Sequence, residues 1–140
     1  MQISHIEHIG IAVADLKAAV KFYEEVLGLK CYKIEEVPDQ KVRTAFFMVG
    51  QTKIELLEST DPEGPVGKFI EKKGAGLHHI GFSVQDIKEG INHATMNGAQ
   101  MINIEPVKGA DNMLVAFLHP KSTGGVLIEI CEQDKTIEPE

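Results

Sequence analysis

One stretch occurs twice in this chain, so any fold it adopts must contain two like halves. His8-Ile9-Gly10-Ile11-Ala12-Val13-Ala14-Asp15-Leu16-Lys17 returns 71 positions later as His79-Ile80-Gly81-Phe82-Ser83-Val84-Gln85-Asp86-Ile87-Lys88, with His, Ile, Gly, Val, Asp and Lys in register. A second pair follows at nearly the same offset, Lys53-Ile54-Glu55-Leu56-Leu57-Glu58 and Leu127-Ile128-Glu129-Ile130-Cys131-Glu132. Self-similarity at a fixed spacing marks a duplicated module. Each half opens on a strand carrying a His and closes on a strand carrying a Glu.

Successive side chains of a strand face opposite sides of the sheet. Ile9, Ile11 and Val13 therefore share one face, and His8, Gly10 and Ala12 the other. The copy divides in the same way, Ile80, Phe82 and Val84 against His79, Gly81 and Ser83. Ile54 and Leu56 oppose Glu55, and Ile128 and Ile130 oppose Glu129. The large apolar face must meet helices. The face of small residues, two His and two Glu is expected to line a cleft between the halves.

In chain order, a strand near residues 3–14 runs to Asp15, an N-cap residue. Leu16, Ala19, Val20, Tyr23 and Leu27 then recur at helical spacing up to Gly28. Strands are expected near residues 29–36 and 42–49, with a hairpin to the Glu55 strand. The second half repeats the order: a strand over 77–84, the Asp86 cap, a helix with Ile87, Ile91 and Ala94 inward, then strands near 100–105, 113–118 and 126–132. This is an α+β chain of two tandem βαβββ modules. Residues 1–60 form the first and 77–132 the second, joined by a turn-rich linker with a short helix over 61–76 and followed by a frayed acidic tail over 133–140, all within one domain.

At 140 residues and 43% apolar content such a chain buries a core without staples. A formal charge of −7 argues against nucleic-acid binding. Cys31 and Cys131 read as reduced thiols. No signal peptide or membrane span is visible, and a cytoplasmic location is expected.

Two imidazoles and two carboxylates suit a divalent first-row metal. A carboxylate flanked by Ile is costly to bury unless it is paired or binds a cation. His8, Glu55, His79 and Glu129 are therefore the candidate metal ligands. His78 points to the other face and is assigned a structural role. His5 and His93 read as surface residues and His119, before Pro120, as a turn residue. Lys121, Ser122 and the amides of Gly124 and Gly125 are candidates for holding a substrate phosphate.

At His8-Ile9-Gly10, Gly76-Leu77-His78-His79-Ile80 and His119-Pro120-Lys121-Ser122-Thr123-Gly124-Gly125-Val126-Leu127-Ile128-Glu129 the chain resembles the methylmalonyl-CoA epimerases, members of the vicinal oxygen chelate (glyoxalase-like) superfamily. The resemblance runs through nearly the whole chain. It implies mixed sheets curled around a metal-containing cleft, usually in a homodimer. It implies inversion of the α-carbon of an acyl-CoA substrate, with cobalt or manganese favoured and zinc, nickel or magnesium as alternatives. Some of these enzymes place a further Glu on the strand before the hairpin, proposed as an acid/base group; here that position falls at about Thr44, which has no carboxylate. The mechanism expected is α-proton abstraction and return through a metal-stabilised enolate, with Glu129 and Glu55 as the acid/base pair. Two alternatives use the same scaffold: a lactoylglutathione lyase-type enzyme and a metal-free, resistance-type binding protein. Ring-cleaving dioxygenases, with fewer carboxylates around iron, fit less well.

Overall fold

The computed structural model describes residues 1–136. The first half runs β1 (Ile3–Ala12), α1 (Leu16–Glu25), β2 (Cys31–Val37), β3 (Val42–Val49) and β4 (Thr52–Ser59), with α2 (Pro65–Lys73) before the repeat. The second runs β5 (Gly76–Val84), α3 (Ile87–Met96), β6 (Val107–Lys108), β7 (Met113–Leu118), the one-turn α4 (Pro120–Thr123) and β8 (Ile128–Gln133). The βαβββ order is thus present twice. The chain divides into two compact units, one spanning His8–His78 and the other Met1–Glu7 together with the chain from His79 onward.

In the first unit the strand order is β2-β3-β4-β1, with β1 parallel to β4 and the remaining pairs antiparallel. In the second it is β6-β7-β8-β5, with β5 parallel to β8. The parallel pair in each is closed by the helix that follows its first strand, as a crossover connection requires. Leu16, Ala45, Phe47 and Leu56 form the buried core beneath α1, joined by Ile11, Val13, Val20 and Tyr23. Val84, Ile87, Ile91, Ala116 and Ile130 do the same beneath α3, with Met1 packed against them. Ile11 and Val13 at the end of the first opening strand and Val84 at the end of the second meet a helix, as strand parity requires. Leu27 is the exception in the helical series: it lies past the end of α1 and is 52% exposed.

Both helices start in the same way. Asp15 accepts from the Ala18 amide at 3.1 Å and Asp86 from the Glu89 amide at 3.2 Å, as N-caps do. A second carboxylate reaches each helix from the closing strand of its own module. Glu58 accepts from the Leu16 amide at 2.8 Å, and Glu132 from the Ile87 amide at 2.9 Å. Free amides at a helix start, together with the helix dipole, favour negative charge there.

Two expectations need correction, the strand over 100–105 and the frayed tail. No strand forms over residues 100–105. Asn103 intrudes on the ladder, its Oδ1 accepting from the Phe117 amide at 2.9 Å and its Nδ2 donating to the Glu105 carbonyl at 2.8 Å. Pro106 then offers no amide, so pairing resumes only in the two-residue β6. After His119, Pro120 at the first helical position starts the one-turn α4. Asp134 does not fray: it is buried, its amide donates to the Asn112 carbonyl at 2.9 Å, and its carboxylate accepts from the Thr136 amide at 3.0 Å. The rest of the expected tail, residues 137–140, lies outside the described residues. Neither Cys31 nor Cys131 is in a disulfide, and among the described residues no helix is long and apolar enough to cross a membrane.

Candidate active site

In the first unit β1 and β4 bring His8 to Glu55. Their parallel register sets Gly10 against Glu55 and His8 against Lys53, so the imidazole stands diagonally from the carboxylate on the same face. His8 Nδ1 lies 3.6 Å from Glu55 Oε2, and the two side chains are 4% and 6% exposed. In the second unit β5 and β8 repeat the register, Gly81 against Glu129. His79 Nε2 lies 3.3 Å from Glu129 Oε2, again with both groups buried.

An aromatic ring accompanies each His–Glu pair. Phe46 on β3 is the cross-strand partner of Glu55, and Phe117 on β7 is the partner of Glu129. Each acid therefore stands beside an aromatic ring, and the His79 ring meets Phe117 edge-to-face with centroids 6.1 Å apart. The signal for these rings was present in the sequence. Thr44-Ala45-Phe46-Phe47 and Val115-Ala116-Phe117-Leu118 keep the same 71-residue offset as the histidines.

The donor set fits a divalent ion. Two ligands each held ~2.1 Å from one ion stand roughly 3 Å apart, and the His–Glu separations here, 3.6 and 3.3 Å, are of that order. Both exceed the ~2.7–2.9 Å of a charge-assisted hydrogen bond. Buried carboxylates beside aromatic and aliphatic neighbours carry a desolvation cost that a cation offsets.

The other histidines are occupied elsewhere. His78 stacks edge-on against Phe69 of α2, centroids 4.9 Å apart, and burial pushes its imidazole down to about 4, so it is neutral near pH 7. His5 lies within 2.8 Å of the Ser4 hydroxyl, and His93 is exposed on α3. His119 caps α4, its Nδ1 accepting from the Lys121 amide at 3.1 Å. Lys121 and Ser122 are exposed on α4, and the Ser122 hydroxyl oxygen accepts from the Gln100 amide at 2.8 Å.

Residues 7–117 match the profile of the glyoxalase/bleomycin resistance protein/dioxygenase superfamily. The chain is 44% identical to the uncharacterized protein YqjC of Bacillus subtilis, covering 92% of both. It is 38% identical to the ethylmalonyl-CoA/methylmalonyl-CoA epimerase of Cereibacter sphaeroides, over 91% of this chain and 97% of that one. Among solved structures, a variant of the Streptomyces coelicolor methylmalonyl-CoA epimerase in complex with 2-nitronate-propionyl-CoA superposes with a TM-score of 0.92 at 33% identity, covering 99% of this chain and 100% of that chain.

Proposed function

The chain belongs to the glyoxalase/bleomycin resistance protein/dioxygenase superfamily and is an epimerase of the methylmalonyl-CoA epimerase type, and from that premise we propose that it interconverts (R)- and (S)-methylmalonyl-CoA with the help of a divalent ion. The observation that carries the reading is the repeated buried His–Glu pair, once in each module, in a chain so similar to acyl-CoA epimerases. His8, Glu55, His79 and Glu129 would hold the ion together. When bound, such an ion supplies Lewis-acid stabilisation of negative charge on the thioester oxygen.

The chain's own residues supply the rest. The substrate α-proton lies between a thioester carbonyl and a carboxylate, which makes it acidic. Glu129 takes this proton on one face of the α-carbon, and the C–H electron pair moves into the thioester carbonyl. Phe117 beside Glu129, and Phe46 beside Glu55, exclude water from the carboxylates. Inversion requires a proton delivered to the opposite face. The sequence suggested Glu55 for that step; Glu55 and Glu129 are both proposed ligands of the ion as well, so each would loosen from it to move a proton. Lys121 is the better of the two α4 candidates to meet a coenzyme A phosphate, since the Ser122 hydroxyl is engaged.

The test is turnover of one pure enantiomer of methylmalonyl-CoA in heavy water by cobalt-loaded protein. Epimerisation with deuterium entering the α-position is expected, and E129Q should lower it by ~10²–10⁴-fold. A fully active E129Q removes Glu129 as the base. A parent inactive on the thioester but active on a glutathione hemithioacetal replaces the reading with the lyase alternative.

A further inference from the structure

A single register row crosses the four strands of the first unit on the face that carries His8. Lys33 of β2 pairs with Phe46 of β3, Phe46 with Glu55 of β4, and Glu55 with Gly10 of β1. Residues in register on neighbouring strands share a face. The row therefore holds a cation, an aromatic ring, a carboxylate and a position without a side chain, all inside the unit His8–His78. Lys33 joins it through a bulge. Cys31 pairs with Phe47, on the face that meets α1, and strict alternation would send Lys33 the same way; the register shift between the two sets Lys33 against Phe46 instead. Bulges of this kind re-aim side chains beside active sites.

The ammonium is held where it meets both the ring and the solvent. Lys33 Nζ stands 5.0 Å over the Phe46 ring, within the ~6 Å of a cation–π contact, and 3.7 Å from Glu35 Oε1. The Tyr32 ring lies 5.8 Å from the same ring, centroid to centroid. Phe46 is fully buried, whereas the Lys33 side chain is 36% exposed. The aliphatic stem of a lysine can cover apolar surface while its charged head stays accessible. Adjacent strands are ~4.8 Å apart, so β2 runs ~10 Å from β4. The ammonium leans back over β3, which lies between them.

Resting on the epimerase reading above, we propose that Lys33 recognises the free carboxylate of the substrate's malonyl-type acyl group, with Glu35 as the residue that positions its ammonium. Inversion moves the α-proton from one face of the carbon to the other and leaves the thioester and the carboxylate where they are. Both of those groups need an anchor. Glu55 serves the thioester end through the ion it would help to hold, and Lys33, in the same row, is the cation that meets the carboxylate. That carboxylate also opposes loss of the neighbouring proton, because the electron pair left behind adds a second negative charge to the same acyl group. An ammonium beside it offsets the repulsion. A chain with a formal charge of −7 needs a cation placed in this way to hold a substrate of its own sign. Acyl-CoAs without a carboxylate gain nothing from Lys33, so the residue sets the substrate class.

The experiment compares K33M, K33R and E35Q with the parent, all loaded with cobalt. It measures bound metal, melting temperature, kcat and KM for methylmalonyl-CoA, and inhibition by propionyl-CoA, the same thioester without the carboxylate. K33M keeps a stem over Phe46 and loses the charge. It is expected to hold its metal, to melt within ~2 °C of the parent, and to lose ~10–150-fold in kcat/KM, as for a missing hydrogen bond to a charged group. Propionyl-CoA should inhibit K33M and the parent equally. K33R should recover part of the loss, and E35Q should lose less than K33M with propionyl-CoA again unaffected; an E35Q equal to the parent overturns the positioning role of Glu35. Near-parental kcat/KM in K33M, or loss of metal or early melting in it, overturns the proposal. So does an equal weakening of propionyl-CoA, which would put Lys33 on the coenzyme A portion. A parent that does not turn over methylmalonyl-CoA overturns the functional reading and this one with it; an active parent with an unaffected K33M overturns this one alone.

Discussion

Removing and restoring a divalent ion should move the melting temperature by an amount the buried donors set. Glu55 and Glu129 are 5% and 4% exposed, and each faces a His on its own sheet. Ionised carboxylates at that depth cost several kcal/mol without compensation. An ion bound only by the folded state contributes ~2.7 kcal/mol at a hundred times its dissociation constant. Unfolding entropy of ~2.1 cal/mol/K per residue gives a chain of 140 residues about 0.3 kcal/mol per degree, so the expected rise is ~9 °C. The assay is differential scanning calorimetry of chelator-treated protein across a cobalt titration, repeated with H79A and E55A. Those variants should shift by less than ~2 °C at the same free cobalt, since each lacks one ligand. A rise of the same size in both variants would show that the ion binds elsewhere. No rise in the parent at any cobalt concentration would refute the shared-ion reading.

Other outcomes follow from the packing. E58A and E132A each remove a carboxylate from the first amide of a helix, at 2.8 and 2.9 Å; each should cost ~1–2 kcal/mol in urea unfolding, and the double variant should show the sum, because the two acids share no partner. Phe47 is fully buried beneath α1; F47A should cost ~3–5 kcal/mol in the same assay, with the α-helical circular dichroism retained at low urea. Burial holds His78 at about 4 in the folded chain against 6.5 in a model peptide. The unfolded chain therefore binds the extra proton first, and stability should fall as pH drops from above 6.5 toward 4. H78F, which keeps the contact with Phe69, should show a shallower fall in melting temperature over that window.

The duplication made the fold legible because it exposed constraints of period two. A strand with one face under a helix cannot slip by a residue without burying its polar set against apolar neighbours. Ile11, Val13, Ile54 and Leu56 therefore had to meet α1 together, and His8 and Glu55 had to turn away together. The same logic failed where side chains or an extra residue interfered with the ladder. Nothing in residues 100–105 announces that the Asn103 amide will take the Phe117 backbone amide in place of a strand. Nothing in residues 31–37 announces a bulge, and strict alternation from Cys31 puts Glu35 on the wrong side of the sheet.

The two halves also differ at a place that bears on catalysis. The histidines and the aromatic partners are 71 residues apart, but Glu55 and Glu129 are 74 apart, so the second half holds three additional residues between Phe117 and Glu129. They fall in the connection that contains α4, where the first half has the tight turn at Gly50 and Gln51. The donor pairs survive this insertion because each Glu is fixed by pairing with its neighbours on both sides, Phe46 and Gly10 for one and Phe117 and Gly81 for the other. A loop can lengthen without disturbing a residue held that way. The inserted connection carries Lys121 on α4, a group with no counterpart in the tight turn of the first half. An enzyme that must treat the two faces of one carbon and the two ends of an acyl-CoA differently needs unlike groups of this kind around a like pair of donor sites.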